Sequence, residues 1–368
     1  MLIYLIVMLL SVCICWRMQV IRSNGDTLSV DVRKYHAFYC VLLIALLGIV
    51  VGFRNGVGTD YGNYTDVYLM TRYKTVAQIF SEEEPLFGLV NMLSAKLFDS
   101  YIPMFVFMAL VSVALIVYGI YKTSDNYALS VFLLIAGMYY FDLFNGMRQM
   151  MAAAIMFAAF PLVKKKKWIP VILLTVIAAG FHSSVYIVLF AFLYSAYVNP
   201  RSWYNIILIG AFFAAFIFFD SFSDILIDLL VSSESRYATF ESTLQQSGLG
   251  ANVLRFGLTA VPVIFSLVLW RYLSQRGKDA GILVNLSLIN SGFMLVATRN
   301  WIFARFCMFF GIFNILLWPK ILSCFEGKSK RFMTFGVICV YFVYFWLIVH
   351  TDSNLLPYRS WIFGGVYG

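Results

Sequence analysis

An all-α, polytopic integral membrane protein of about twelve transmembrane helices is the fold class this sequence predicts, from three observations. Hydrophobic residues make up 62% of the chain and charged residues only 12%, far from the balance of a soluble domain. The apolar residues fall into long runs separated by short polar links. The charges in alternate links are unequal in sign. A mean hydropathy of +0.84 and an 18% aromatic content suit a chain with much of its surface in lipid and at its two interfaces.

In order, the runs are 1–16, 37–53, 101–120, 127–141, 147–163, 168–180, 184–198, 203–219, 253–273, 281–298, 302–319 and 332–350. A helix needs about 20 residues to cross a bilayer, so 168–180 and 184–198 are short. The first run has no basic start and no small-residue cleavage site, and its positive charges follow it; it reads as a retained helix. Pro85–Phe98 is apolar but short, and is expected to be an interfacial or re-entrant helix that does not cross. No stretch remains for a sizeable soluble domain, so 1–368 reads as a single transmembrane domain.

The charges orient this layout. One set of links carries 17 of the 27 bases, Lys164 to Lys167 among them, and five of the 18 acids. By the positive-inside rule that side is cytoplasmic. Both termini then lie outside, as do the two long loops 54–100 and 220–252. Counting Pro85–Phe98 as a crossing would turn the Lys164–Lys167 run outward.

Composition also excludes functions. The net charge of +9 is accounted for by topology, so no nucleic acid is implied. The six cysteines lie in or at the ends of apolar runs without a CxxC pair, which indicates neither disulfides nor a zinc site. No phosphate-binding loop or EF-hand occurs, and Asp60 and Asp66 alone make a weak case for a divalent ion. No metal and no cofactor is expected.

Candidate chemistry gathers at the outer ends of the spans, where most of the polar residues also lie. Arg54 closes the second span and leads into Gly56-Val-Gly58-Thr-Asp60-Tyr61, with Tyr64 beyond. Arg148 and Gln149 open the fifth span, His182 occupies the tip between two short spans, and Arg236-Tyr237 lies in the second long loop. Arg299 and Arg305 flank the last outward turn. Charge at membrane depth costs several kcal/mol unless it is paired or wet. Arginine forks bind phosphate bidentately, so several at one leaflet point to a phosphorylated lipid, especially a pyrophosphate. Asp60 is a candidate base or a partner for Arg54. His182 is a candidate base or phosphate ligand. The tyrosines 61, 64, 68 and 237 are candidates for stacking on sugar rings. Glu82 to Glu84 read as the solvated start of a helix before Pro85.

Several short motifs occur in one order: Arg54-x5-Asp60-Tyr61-x2-Tyr64, Glu84-Pro85-x-Phe87, Asn145-x2-Arg148-Gln149, Phe181-His182-x-Ser184, Ser235-Arg236-Tyr237 and Pro357-Tyr358. Together they resemble the EpsG family, the Wzy-like bacterial exopolysaccharide and O-antigen polymerases. The resemblance departs at Ser183, where members often carry proline.

The resemblance implies a glycosyltransferase of the bacterial inner membrane with a glycosyltransferase-C-like fold, active on the periplasmic face. It implies transfer of a growing glycan from undecaprenyl pyrophosphate to the non-reducing end of a new lipid-linked repeat unit, as in exopolysaccharide or lipopolysaccharide biosynthesis. A flippase and a chain-length regulator of the same pathway are the expected partners. On that scheme Arg148 with Arg299 or Arg305 neutralises the departing pyrophosphate. Arg54 and Arg236 hold the second lipid or order the loops, and Asp60 or His182 takes the acceptor proton. The alternatives are an O-antigen ligase and a flippase for lipid-linked oligosaccharide.

Overall fold

The structure, a computed structural model, describes residues 1–24, 30–221, 250–351, 354–362 and 366–367. Most of the expected loop 220–252, with Arg236 and Tyr237, lies outside the described residues. Helices dominate because an apolar run in lipid can satisfy its backbone N–H and C=O groups only within itself.

The chain divides into two compact units, Met1–Leu189 with Phe325–Gly368, and Phe190–Cys324. The first contains α1 (Leu2–Asn24), α2 (Val30–Gly52), α3 (Tyr61–Thr71), α4 (Val76–Phe80), α5 (Pro85–Phe98), α6 (Ile102–Thr123), α7 (Tyr127–Ala136), α8 (Asp142–Asn145), α9 (Met147–Lys164) and α10 (Trp168–Ala179). α11 (Tyr186–Tyr197) runs across the division. The second unit continues with α12 (Trp203–Ile217), α13 (Val253–Val268), α14 (Trp270–Leu273), α15 (Ala280–Ala297), α16 (Ala304–Phe310) and α17 (Asn314–Leu322). The chain then returns to the first unit as α18 (Gly327–Thr351) and the short strands β1 (Tyr358–Arg359) and β2 (Val366–Tyr367).

Six described helical stretches are long and apolar enough to cross a membrane: Leu2–Arg22, Val32–Gly52, Ile102–Thr123, Ala280–Ala297, Trp301–Leu322 and Gly327–Thr351. Several shorter apolar helices accompany them. The chain is an all-α, multi-pass membrane protein. Among the described residues the strands are the antiparallel pair β1–β2, in register Tyr358 to Tyr367 and Arg359 to Val366, inside what reads in the sequence as a polar tail.

α6 forms the middle of the first unit, packed between α2 and α9. Lipid supplies no hydrophobic drive between helices, so close contact has to hold them. A Cβ on Gly52 of α2 would lie 2.9 Å from the Cα of Val106 on α6; only glycine permits that approach. The expected span 127–141 is interrupted, because α7 ends at Ala136 and Met138 adopts a positive φ of 71°.

α5 does not cross. At about 1.5 Å per residue its 14 residues reach only about 21 Å, against a hydrocarbon core of about 30 Å. The N–H groups of Leu86 and Phe87 donate to the carbonyl of Gly180 at 2.9 and 3.2 Å. Beyond its far end, Asp99 pairs with Arg72 at 2.6 Å, and the Tyr101 ring meets Tyr68 at 5.9 Å. These contacts return both ends of α5 to the cluster that includes the turn after α2.

In the second unit Phe219, Met294, Val296, Ala297, Phe303 and Cys307 form an apolar core. Polar pairs are buried toward the opposite end of α15. Lys320 Nζ lies 3.3 Å from Asp279 Oδ2, and Asn205 Nδ2 donates to Asn285 Oδ1 at 3.0 Å. The sequence places most polar residues at the outer span ends; these inward pairs join helices that are far apart in the chain.

Candidate functional site

The turn after α2 is built around Arg54, whose side chain is wholly buried. Nη1 donates to the carbonyl of Val51 at 2.7 Å, Nε to Val57 at 3.2 Å and Nη2 to Phe144 at 3.4 Å. The guanidinium also faces the rings of Phe105 and Phe144 at 4.7 and 5.3 Å. Burial lowers its pKa to about 10, with nearby phenols opposing the shift, so the group is cationic at neutral pH. Gly58 has φ of 99°, and a Cβ there would sit 2.5 Å from the carbonyl oxygen of Phe144; the turn demands glycine at this point.

The C-terminal tail straps this turn down. Asn55 N–H donates to Arg359 O at 2.9 Å, Gly58 N–H to Asn354 O at 3.0 Å and Trp361 N–H to Phe53 O at 2.9 Å. Tyr358 donates its hydroxyl to Val50 O at 2.9 Å, Tyr4 to Leu355 O at 2.8 Å, and Trp361 Nε1 to the Tyr61 hydroxyl at 3.3 Å. The start of α1, the end of α2 and the tail after α18 therefore meet at one end of the unit.

The same end gathers a polar cluster from three other segments. Asn145 Oδ1 accepts the Thr59 N–H at 2.8 Å, and its carbonyl accepts the Tyr64 hydroxyl at 3.2 Å. This fixes the start of α9, where Arg148 stands. Arg148 Nη1 forms a short charged hydrogen bond to Glu84 Oε2, and its guanidinium lies over the Phe87 ring at 5.4 Å. His182 Nδ1 meets the other carboxylate oxygen, Glu84 Oε1, at 2.7 Å, and Ser183 N–H approaches it at 3.4 Å. Burial acts to raise the Glu84 pKa. The His182 hydrogen bond, the charges of Arg148 and His182, and the Ser183 N–H outweigh it, so the pKa is lowered and Glu84 is ionised at neutral pH. Arg148, Glu84 and His182 retain side-chain exposures of 37%, 13% and 21%, so the cluster opens outward through its cation.

The candidates from the sequence are thus separated. Arg148 and His182 come together. Asp60 stands half-buried before α3, its Oδ1 accepting from Thr59 Oγ1 at 3.3 Å. Arg54, Tyr61, Tyr64 and Gln149 are inside the fold, not on a ligand-facing surface. Tyr61 is stacked on Phe105 at 4.8 Å, and Tyr64 packs edge-on against Phe87 at 5.9 Å. Their ring faces already have protein neighbours, which corrects the expectation that they are open to sugars. Arg299 and Arg305 belong to the second unit. Arg299 Nη2 pairs with Asp220 Oδ2 at 3.2 Å, and the exposed Arg305 lies over the Trp301 ring at 5.4 Å. Arg236 and Tyr237 lie outside the described residues.

Glu84 is the residue that sequence reasoning missed. As one of three consecutive glutamates before a proline it reads as solvated, and its signal was membership of the Glu84-Pro85-x-Phe87 motif.

A family model described as the EpsG family matches residues 37–360. The chain belongs to the EpsG family. The EpsG match begins within α2 and ends at Ser360, so it takes in the Arg54 turn, the Glu84 cluster and most of the tail that straps the turn. No curated protein and no solved structure matches the chain. EpsG membership makes this a membrane protein of the polysaccharide-polymerase type.

Proposed function

We propose that this EpsG protein is a polymerase of lipid-linked oligosaccharide repeat units. It transfers the growing glycan from undecaprenyl pyrophosphate to the non-reducing-end hydroxyl of a new lipid-linked repeat. The observation that carries this reading is the meeting of Arg148 and His182, from separate segments, at one open end of the first unit. An arginine is charged under all working conditions and matches a phosphate edge. A histidine beside it can take a hydroxyl proton near neutral pH. Glycosyl transfer from a pyrophosphate needs both: stabilisation of the leaving group where negative charge develops, and a base for the acceptor.

In this reading Arg148 faces the departing pyrophosphate, and His182 takes the acceptor proton in preference to Asp60, which belongs to the strapped turn. The layout has twelve crossings in a glycosyltransferase-C-like arrangement, with the Arg148 end on the extracytoplasmic face of the bacterial inner membrane. The positive-inside pattern of the short links supports that orientation. A flippase delivers the repeats, and a chain-length regulator sets the product size.

Deleting the gene and resolving surface glycan on a gel tests the reading. Single-repeat material should remain while the ladder disappears. Loss of the single repeat as well would favour a ligase or a flippase.

A further inference from the structure

We infer that Glu84 is a positioning residue of the transfer reaction, one carboxylate that orients the His182 base and anchors the Arg148 clamp together. The inference rests on the polymerase reading of this site. Each oxygen of Glu84 has a different partner: Oε1 takes His182 Nδ1 at 2.7 Å, and Oε2 takes Arg148 Nη1. The distance between base and clamp is therefore set by the width of a single carboxylate.

Three contacts make this a built arrangement. Pro85 begins α5 directly after Glu84, limiting the backbone at that point. The next two N–H groups, of Leu86 and Phe87, are tied to Gly180 O at 2.9 and 3.2 Å, two residues before His182. The Phe87 ring underlies the Arg148 guanidinium at 5.4 Å. Glu84 is thereby joined by backbone to the His182 turn and through its neighbour to the clamp.

The consequence for the chemistry follows from proton placement. An ionised carboxylate only accepts, so His182 Nδ1 carries a proton and the lone pair is on Nε2. In transfer, the acceptor hydroxyl gives its proton to Nε2 as its oxygen bonds the anomeric carbon. The bond from that carbon to the pyrophosphate oxygen breaks, and its electron pair leaves with the pyrophosphate facing Arg148. The imidazolium so formed is stabilised by Glu84, as a carboxylate behind a histidine does in hydrolase triads, and it returns its proton to water.

Glu84→Gln discriminates this role from simple packing. Arginine has donors only, so the amide oxygen of glutamine would serve Arg148 and the amide NH2 would face His182. Nδ1 must then accept, and the ring proton moves to Nε2. The chain has three histidines, so in full-length protein labelled with 15N-histidine in lipid nanodiscs, His182→Gln identifies the relevant signal. Turnover is followed on lipid-linked repeat units purified from a strain lacking the gene.

The expected result is an Nδ1–H tautomer in the wild type and an Nε2–H tautomer in Glu84→Gln. Polymer formation in Glu84→Gln should fall at least about a hundredfold, within the usual range for disabling a general base. Glu84→Asp should restore both in part. An unchanged tautomer in Glu84→Gln overturns the inference whatever the turnover. So does a changed tautomer with wild-type turnover. A wild type that makes no polymer from these repeats defeats the polymerase reading instead, and the nitrogen spectrum still decides the Glu84–His182 contact.

Discussion

Gly58 donates its backbone N–H to the carbonyl of Asn354 at 3.0 Å, joining the turn after the second helix to the tail after the last. Asn55 and Phe53 make parallel contacts to Arg359 and Trp361. A chain ending before Asn354 loses all of them, together with the Tyr358 and Tyr4 bonds. Each net backbone hydrogen bond contributes about 1 kcal/mol, so several kcal/mol of local stability should disappear. The expected outcome is a protein that still inserts in the membrane, melts at a lower temperature in detergent and makes no glycan ladder. An unaltered melting curve would show that the strap does not stabilise the turn.

Replacing Arg54 tests the turn from inside. Arg54→Lys keeps the charge but reaches at most one or two of the carbonyls of Val51, Val57 and Phe144, and should cost roughly 2–4 kcal/mol. Gly58→Ala should destabilise by a similar route, through its φ of 99° and the nearby Phe144 carbonyl. Thermal unfolding with membrane abundance as a control measures both. A wild-type melting temperature for Arg54→Lys would mean that the three carbonyl contacts are not needed.

Among the candidate bases, His182→Ala should lower turnover about a hundredfold or more, while Asp60→Asn should stay within a few-fold of wild type. The comparison is made on purified protein with lipid-linked repeats. The reverse order would transfer the proton-accepting role to Asp60.

Arg148→Ala should abolish the ladder at normal membrane abundance, because it removes the exposed cation of the cluster. Full-length ladders would remove Arg148 from the leaving-group site.

The lowered pKa of Glu84 gives a pH dependence with a definite sign. Its folded value lies below the ordinary value of 4.5, so ionised Glu84 stabilises the folded state. That contribution is fully present above about pH 4.5 and is lost as the pH falls through the lower folded value. Wild type should melt above Glu84→Gln at neutral pH, and the gap should close only below about pH 4.5. A gap that closes between pH 7 and 5 would contradict the assignment.

Much of this protein was determined by its sequence. Apolar run lengths dictated helices, and the 14 residues of Pro85–Phe98 made α5 a short one; both follow from local properties of consecutive residues. Arg148 and His182 stand out in the sequence as candidates because ionisable groups at the ends of apolar runs are costly unless paired or wet. Tertiary structure alone decided which of them meet. Glu84 is 64 residues from Arg148 and 98 from His182, and its place before Pro85 in the motif says nothing of those two partners. In the sequence Arg54 reads as either a lipid-phosphate ligand or an organiser of its loop, and its partners are backbone carbonyls that any sequence would supply. Hydrogen bonds to main-chain atoms carry no sequence signature, so the inward turn of Arg54 and the strap from the tail became visible only once the chain had folded.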